Sequence, residues 1–189
     1  SPNKYSSSKQ TKALSLFWRT LRPRAGSPQN IIFKTSREKK LRFTLFRFGT
    51  IFGPSIGMRF HAAVNRFCWQ ACQGKPLSVY ETAFLQKRPY LDVADAARAI
   101  QFIIDRDLFR GELYNVVTCN AAVQEVVALI RKSIPSLKVK LVASKAMNDY
   151  SYTVSSEKIK SLGFGFKGDL EKGIRDTVRI DESQIEFGG

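Results

Sequence analysis

One histidine, three cysteines, two methionines and a shortage of long apolar runs set the first limits on this 189-residue chain. A membrane-spanning helix needs roughly 18 or more consecutive apolar residues. No run approaches that, so no membrane segment is expected. The first residues, Ser1-Pro2-Asn3-Lys4-Tyr5, lack the charged start and apolar stretch of a secretory signal. Cys68, Cys72 and Cys119 are odd in number and sit in apolar or strand-like surroundings. This argues against a disulfide framework and for buried, reduced thiols, so the expected localisation is cytoplasmic. Cys68 and Cys72 are four residues apart, and no second pair completes a metal site. The single histidine, His61, has no carboxylate or cysteine arranged near it in sequence and reads as a helix-surface residue. No glycine-rich phosphate turn occurs either. Gly163-x-Gly165 lies between two short helical stretches and reads as a turn.

Acidic residues are scarce at the front. Residues 1–40 hold ten Lys or Arg against Glu38 alone, so +9 of the net +15 lies there. Lys and Arg displace counterions from phosphates, which makes nucleic acid one conceivable partner. The basic residues form neither a dense block nor a helical stripe interleaved with aromatics, and a solvated basic arm accounts for them better. Nucleic acid is therefore not the expected partner.

What is present in quantity is apolar: 43% of residues, with 12% aromatic. That is ample for one packed domain. Leu14–Leu21 is consistent with a short amphipathic helix, after which Pro23, Gly26, Ser27 and Pro28 break regular structure. From residue 41 the pattern becomes orderly. Leu41–Phe48 reads as a buried strand and 49–54 as a loop. Gly57–Gln73 reads as a helix with Phe60, Val64, Phe67 and Ala71 inward, stopped by Gly74. Strands follow at Leu77–Tyr80, Leu113–Val117 and Val139–Val142. Helices are expected at Asp92–Arg106, with Ala96, Ala99, Ile100, Ile103 and Ile104 inward, at Ala121–Lys132, at Ser155–Leu162 and at Asp169–Val178. Alternating strands and helices indicate an α/β domain. The division is a basic segment 1–40, an α/β region 41–180 and a tail 181–189.

Four segments in order resemble one family. They are Arg47-Phe48-Gly49-Thr50-Ile51-Phe52-Gly53-Pro54; Gly74-Lys75-Pro76-Leu77-Ser78-Val79-Tyr80 followed by Lys87-Arg88-Pro89-Tyr90-Leu91-Asp92-Val93-Ala94-Asp95-Ala96-Ala97; Gly111-Glu112-Leu113-Tyr114-Asn115-Val116; and Ser155 through Leu162-Gly163-Phe164 with Leu170-Glu171-Lys172-Gly173-Ile174. Together they resemble the extended short-chain dehydrogenase/reductase family, in particular its NAD-dependent nucleotide-sugar epimerases and dehydratases. The resemblance covers residues 41 to about 180. It implies the C-terminal part of a Rossmann-like fold with its small substrate-binding lobe, NAD as cofactor and a nucleoside-diphosphate sugar as substrate. A homodimer is compatible with it.

The resemblance also assigns residues. Arg88 matches the position that contacts the diphosphate, a task suited to a planar guanidinium that forks onto two oxygens; otherwise it is an exposed Arg ahead of a helix. Tyr80 falls where the family sets an aromatic ring against the nucleotide base, or it is ordinary strand core. Thr50 stands where many members have an Asn on the substrate phosphates. Arg59, in the helix beside the presumed cleft, is a further substrate-binding candidate. Asn115 is expected to tie backbone. The catalytic pair of the family is Tyr-x-x-x-Lys, whose Lys and cofactor ribose lower the Tyr pKa so that it acts as base. Tyr5 and Lys9 have that spacing. Asn3 and Lys4 intervene after Ser-Pro, however, and 38 residues separate Lys9 from Arg47, so a polar terminus is the other reading. The family's Gly-x-x-Gly-x-x-Gly turn for the NAD pyrophosphate does not occur. The expectation is a partial enzyme, inactive alone. The rival is a non-enzymatic binding protein on this fold, with a basic arm for nucleic acid or another acidic partner.

Overall fold

The computed structural model describes residues 42–58, 60–143 and 151–186, the last six for their backbone only. Seven strands and six helices alternate along them. They are β1 (Thr44–Phe48), β2 (Thr50–Phe52), α1 (Ala63–Cys72), β3 (Leu77–Tyr80), α2 (Glu81–Phe84), β4 (Lys87–Asp92), α3 (Val93–Asp105), β5 (Glu112–Val116), β6 (Cys119–Ala122), α4 (Val123–Ser133), β7 (Val139–Val142), α5 (Glu157–Lys160) and α6 (Leu170–Glu186). No described helix is long and apolar enough to cross a membrane.

The Phe-rich segment expected as a strand is β1, and it runs parallel to β5 with Thr44 opposite Glu112 and Phe48 opposite Val116. Gly49 then lets the chain change neighbours. Its N–H donates to the Val116 carbonyl at 3.0 Å, and a Cβ on it would stand 3.0 Å from the Pro89 carbonyl oxygen. A side chain there would have to push the β4 backbone aside by a few tenths of an ångström, which glycine avoids. Beyond it, residues 50–52, expected as loop, form β2 parallel to β4. On the other side of β4 lies β6, antiparallel, with Tyr90 opposite Cys119. A separate parallel pair, β3 and β7, aligns Leu77 with Val139 and Tyr80 with Val142.

Successive residues of β4 serve two cores, as a strand covered on both faces requires. Tyr90 packs with Phe52, Val64, Phe67, Leu77, Val126, Ile130 and Ile174, the cluster gathered under α1, α4 and α6. Leu91 packs with Ala96, Ala99, Ile103, Tyr114, Val116, Ile159 and Phe164 under α3. Phe52 is fully buried, and a phenyl ring so placed contributes about 1.5–3 kcal/mol. Its ring leaves no room above it: a Cβ on Gly173 of α6 would lie 2.5 Å from Phe52 Cε2.

Helix α3 begins as expected, with Asp92 accepting a 2.8 Å hydrogen bond from Ala94 N–H as its cap. Its inner face is narrower than the apolar pattern suggested. Ala96, Ala99 and Ile103 are buried, Ile100 half-buried and Ile104 48% exposed. Other boundaries move as well. Helix α1 starts at Ala63, later than the expected Gly57, and Phe60 stands exposed before it against Trp69. Ala121 and Ala122, expected as the start of a helix, are drawn with Cys119 and Asn120 into β6 by β4. Helix α6 continues past Val178 to Glu186. Cys68 is buried, Cys72 and Cys119 are half-buried, and none of the three is in a disulfide. His61 is exposed.

Candidate functional site

The first residues of β4 carry the site. Arg88 is half-buried, and its guanidinium is held in plane by three neighbours. Nη1 donates to the Lys87 carbonyl at 2.9 Å, Nη2 donates to Gln86 Oε1, and the cation lies 5.3 Å from the centre of the Tyr152 ring. Tyr152 is brought there by the backbone of Lys87, whose carbonyl accepts from Tyr152 N–H at 3.4 Å while its N–H donates to Ser151 Oγ at 3.0 Å. The rest of segment 151–156 is tied by side chains. Asn120 donates from Nδ2 to the Val154 carbonyl and accepts from Val154 N–H at Oδ1, at 3.1 and 2.9 Å. Asn115 donates to the Ser155 carbonyl at 3.2 Å, the backbone tie expected of it. Buried Ser156 accepts from Val117 N–H at 2.9 Å and donates to its carbonyl.

Thr50 is half-buried in β2 opposite Tyr90, and Arg88 lies two residues before Tyr90 on the adjacent strand. Parallel strands place such a pair on one face, about 8 Å apart. Tyr80 closes β3 and is 47% exposed, because Leu77 and Val79 take the inward positions. The reading of Tyr80 as strand core is thereby set aside. α2 and two linking residues connect it to β4. Tyr5, Lys9 and Arg59 lie outside the described residues.

A buried carboxylate unanticipated from sequence stands behind this edge. Asp95, 1% exposed, accepts four hydrogen bonds: Arg98 Nη1 at 2.6 Å and Lys167 N–H at 3.0 Å on Oδ1, Gly168 N–H and Thr118 Oγ1 at 2.9 Å each on Oδ2. Four donors satisfy the full acceptor capacity of the carboxylate. Thr118 Oγ1 in turn accepts from Asp92 N–H at 3.0 Å. The signal available in the sequence was an acid on the apolar face of α3, one position before Ala96. Gln86 and Tyr152 offered no comparable signal, because their roles depend on contacts with Arg88.

The titratable groups that move do so away from neutrality. Burial pushes the Tyr90 phenol up to about 12, with the Arg88 cation pulling the other way. Burial, aided by Asp169, Glu125 and Asp92, pushes the Cys119 thiol up to about 11. Both hold their protons at pH 7, so neither serves as a base there.

The described helix starts do not suit a dinucleotide. Pyrophosphate binding needs open backbone N–H groups just after a glycine-rich strand-to-helix turn. Here Asp92 occupies the start of α3, Glu125 reaches back to Ala122 N–H at α4, and Asp169 accepts from Lys172 N–H at α6. Each places a carboxylate where an anionic ligand would go. Helix α1 follows β2 only after the loop 53–62. None of these helix starts offers the pyrophosphate of a dinucleotide its open N–H groups.

Comparisons with known proteins agree with the resemblance. The model of the NAD dependent epimerase/dehydratase family matches residues 29–116. The chain is 30% identical over 112 residues to a chloroplastic UDP-sulfoquinovose synthase of Spinacia oleracea, covering 55% of this chain and 23% of that one. It is 32% identical over 103 residues to a dTDP-D-glucose 4,6-dehydratase of Mus musculus, covering 50% and 29% respectively. Among solved structures, the dTDP-glucose 4,6-dehydratase of Bacillus anthracis in complex with NAD superposes with a TM-score of 0.74 at 24% identity, over 89% of this chain and 55% of that one. The UDP-glucose 4-epimerase of Thermus thermophilus in complex with NAD gives 0.68 at 21% identity, over 81% and 50%. The chain thus spans less than a third of these curated relatives and about half of the solved chains.

Proposed function

Because the chain carries the C-terminal part of a Rossmann-like extended short-chain dehydrogenase/reductase fold related to NAD-dependent epimerases and dehydratases, we propose that it forms the substrate half of such a site and binds a nucleoside-diphosphate sugar. The observation that carries this is the fixing of Arg88. Its guanidinium is held in plane before any ligand arrives, at a strand edge that also presents Thr50. A planar fork suits two oxygens of a diphosphate, and holding it in advance lowers the ordering cost of binding. Exposed Tyr80 supplies a ring for the base. By the resemblance Tyr5 and Lys9 would hold and move the proton, and hydride chemistry would be supplied by NAD bound on a glycine-turn half. Without that half the chain is inactive. The cytosol suits three cysteines that form no disulfide, and dimerisation belongs to the same proposal.

The test is isothermal titration of the chain with UDP-glucose and dTDP-glucose. Arg88→Ala should weaken binding by roughly tenfold or more, the loss of a charge-assisted contact worth about 1.5–3 kcal/mol. A parent chain that binds neither sugar nucleotide, or an Arg88→Ala variant that binds as the parent does, refutes the assignment. The concentration of +9 in residues 1–40 supports a second reading, a binding protein for nucleic acid. That reading requires salt-sensitive RNA or DNA binding that disappears when residues 1–40 are removed.

A further inference from the structure

A second concave surface lies between the end of α4 and the middle of α6. It encloses about 320 Å³ over an apolar floor that includes Leu129 and Val178, and its rim carries Lys132, Glu171, Arg175 and Arg179. The single carboxylate of the rim is already matched, since Lys132 Nζ lies 3.2 and 3.3 Å from the two oxygens of Glu171. The nearby Asp176 is likewise taken, its carboxylate 2.5 Å from Lys172 Nζ. Arg175 and Arg179 are exposed, one helical turn apart on the same face of α6, and neither makes an ion pair among the described residues. Their field is felt locally: Lys172 first, then Arg175 and Arg179, hold the Asp176 carboxyl below the usual carboxylate range.

We propose that this cleft binds a compact, multiply charged anion of the phosphate class, with Arg175 and Arg179 forking onto its oxygens. Two guanidinium groups a turn apart, above a concave floor, match the size and trigonal oxygens of one or two phosphate groups. The surface does not match a nucleic-acid strand. Glu171 and Asp176 interrupt the cations along α6, so the continuous positive track that follows a phosphate backbone is missing. The cleft is distinct from the Arg88 edge, and neither Arg88, Tyr80 nor Thr50 lines it.

Inorganic pyrophosphate is the probe, titrated calorimetrically at low salt into the full chain carrying Arg88→Ala, which removes the diphosphate contact proposed at β4. This parent should show saturable one-site binding. Adding Arg175→Ala/Arg179→Ala should weaken it at least about tenfold, and Arg175→Lys/Arg179→Lys should recover only part of the loss. Both arginines are exposed and alanine favours helix, so an unaltered melting temperature is expected and confirms that the variants fold. Absence of saturable binding by the parent overturns the proposal, as does a double alanine variant within twofold of the parent. Binding by the chain with Arg88 intact but none by its Arg88→Ala form would return the anion to the Arg88 edge and also refute it. Tighter binding of a single-stranded oligonucleotide than of pyrophosphate, lost in the same double variant, would overturn the small-anion assignment.

Discussion

Gly168 and Gly165 differ by three positions in one loop and should respond to the same added methyl group in opposite ways. A Cβ on Gly168 would lie 2.4 Å from Asp92 Cβ, 2.7 Å from Asp95 Oδ2 and 2.9 Å from Asp92 Cγ. Neither neighbour can yield cheaply. Asp92 caps α3, and Asp95 is fixed by four donors, one of which is Gly168 N–H itself. Overpacking costs about 1–3 kcal/mol, and displacing the loop adds about 0.5–1.5 kcal/mol for the lost hydrogen bond. Gly168→Ala should therefore destabilise by about 2–4 kcal/mol, or roughly 5–15 °C in a domain of this size. A Cβ on Gly165 meets nothing within 4 Å. With the same gain in backbone stiffness and no clash, Gly165→Ala should melt with the parent or about 1–3 °C above it. Thermal denaturation followed by circular dichroism, on both variants under one buffer, reads the difference. If the two variants melt together, or if Gly168→Ala stays within about 2 °C of the parent, the close packing of this loop on α3 is not what holds it.

Asp95→Asn should cost about 3–5 kcal/mol, because the amide presents a donor to groups that all donate and leaves Arg98 without its charge partner; urea denaturation measures it, and a loss under about 1 kcal/mol would contradict the account. Tyr90 and Cys119 are neutral when protonated, and both titrate higher when folded, from 10.0 to about 12 and from 9.0 to about 11. Their contribution is full below pH 9 and is lost as pH rises through 9–12. Stability of Tyr90→Phe should accordingly fall less steeply than that of the parent above pH 10, and parallel curves would show that the phenol does not titrate in this way. Gly173→Ala should destabilise on the scale of Gly168→Ala by pushing against Phe52, and an unchanged melting curve would mean that α6 can shift away.

Local chemistry made several elements legible before any contact was known. Asp92 before an apolar-periodic run announced the start of α3, and the run Leu41–Phe48 announced β1. The elements that were missed owe their form to remote partners. Cys119-Asn120-Ala121-Ala122 has little intrinsic preference for a strand, and becomes β6 because Lys87–Tyr90 lies alongside it. Residues 50–52 read as loop because Gly49 interrupts the pattern, yet that glycine is what allows the chain to leave β5 for β4. The width of the apolar stripe on α3 misled for a related reason: periodicity marks a face, and the neighbouring elements decide how much of it is covered. At the candidate site, Arg88 was singled out through its motif, whereas the ring against it comes from Tyr152, sixty-four positions later. The alternation Leu77-Ser78-Val79-Tyr80 already contained the answer for Tyr80, since a period of two sends Tyr80 to the side opposite the two aliphatic residues.

The way residues 151–156 are attached has a kinetic consequence. A strand in a ladder opens cooperatively, because each amide is flanked by others of the same kind. This segment is fastened instead mainly by the side chains of Ser151, Asn120, Asn115 and Ser156 at separate points, with a single long backbone bond of 3.4 Å from Tyr152 N–H to Lys87. Its amides should therefore exchange with solvent deuterium individually, through small local openings, while those of β4 wait for the sheet to separate. Tyr152 would be released from Arg88 in such an opening without any strand of the core being disturbed, so the two walls of the site can part on a timescale set by a few side chains and not by the unfolding of the domain.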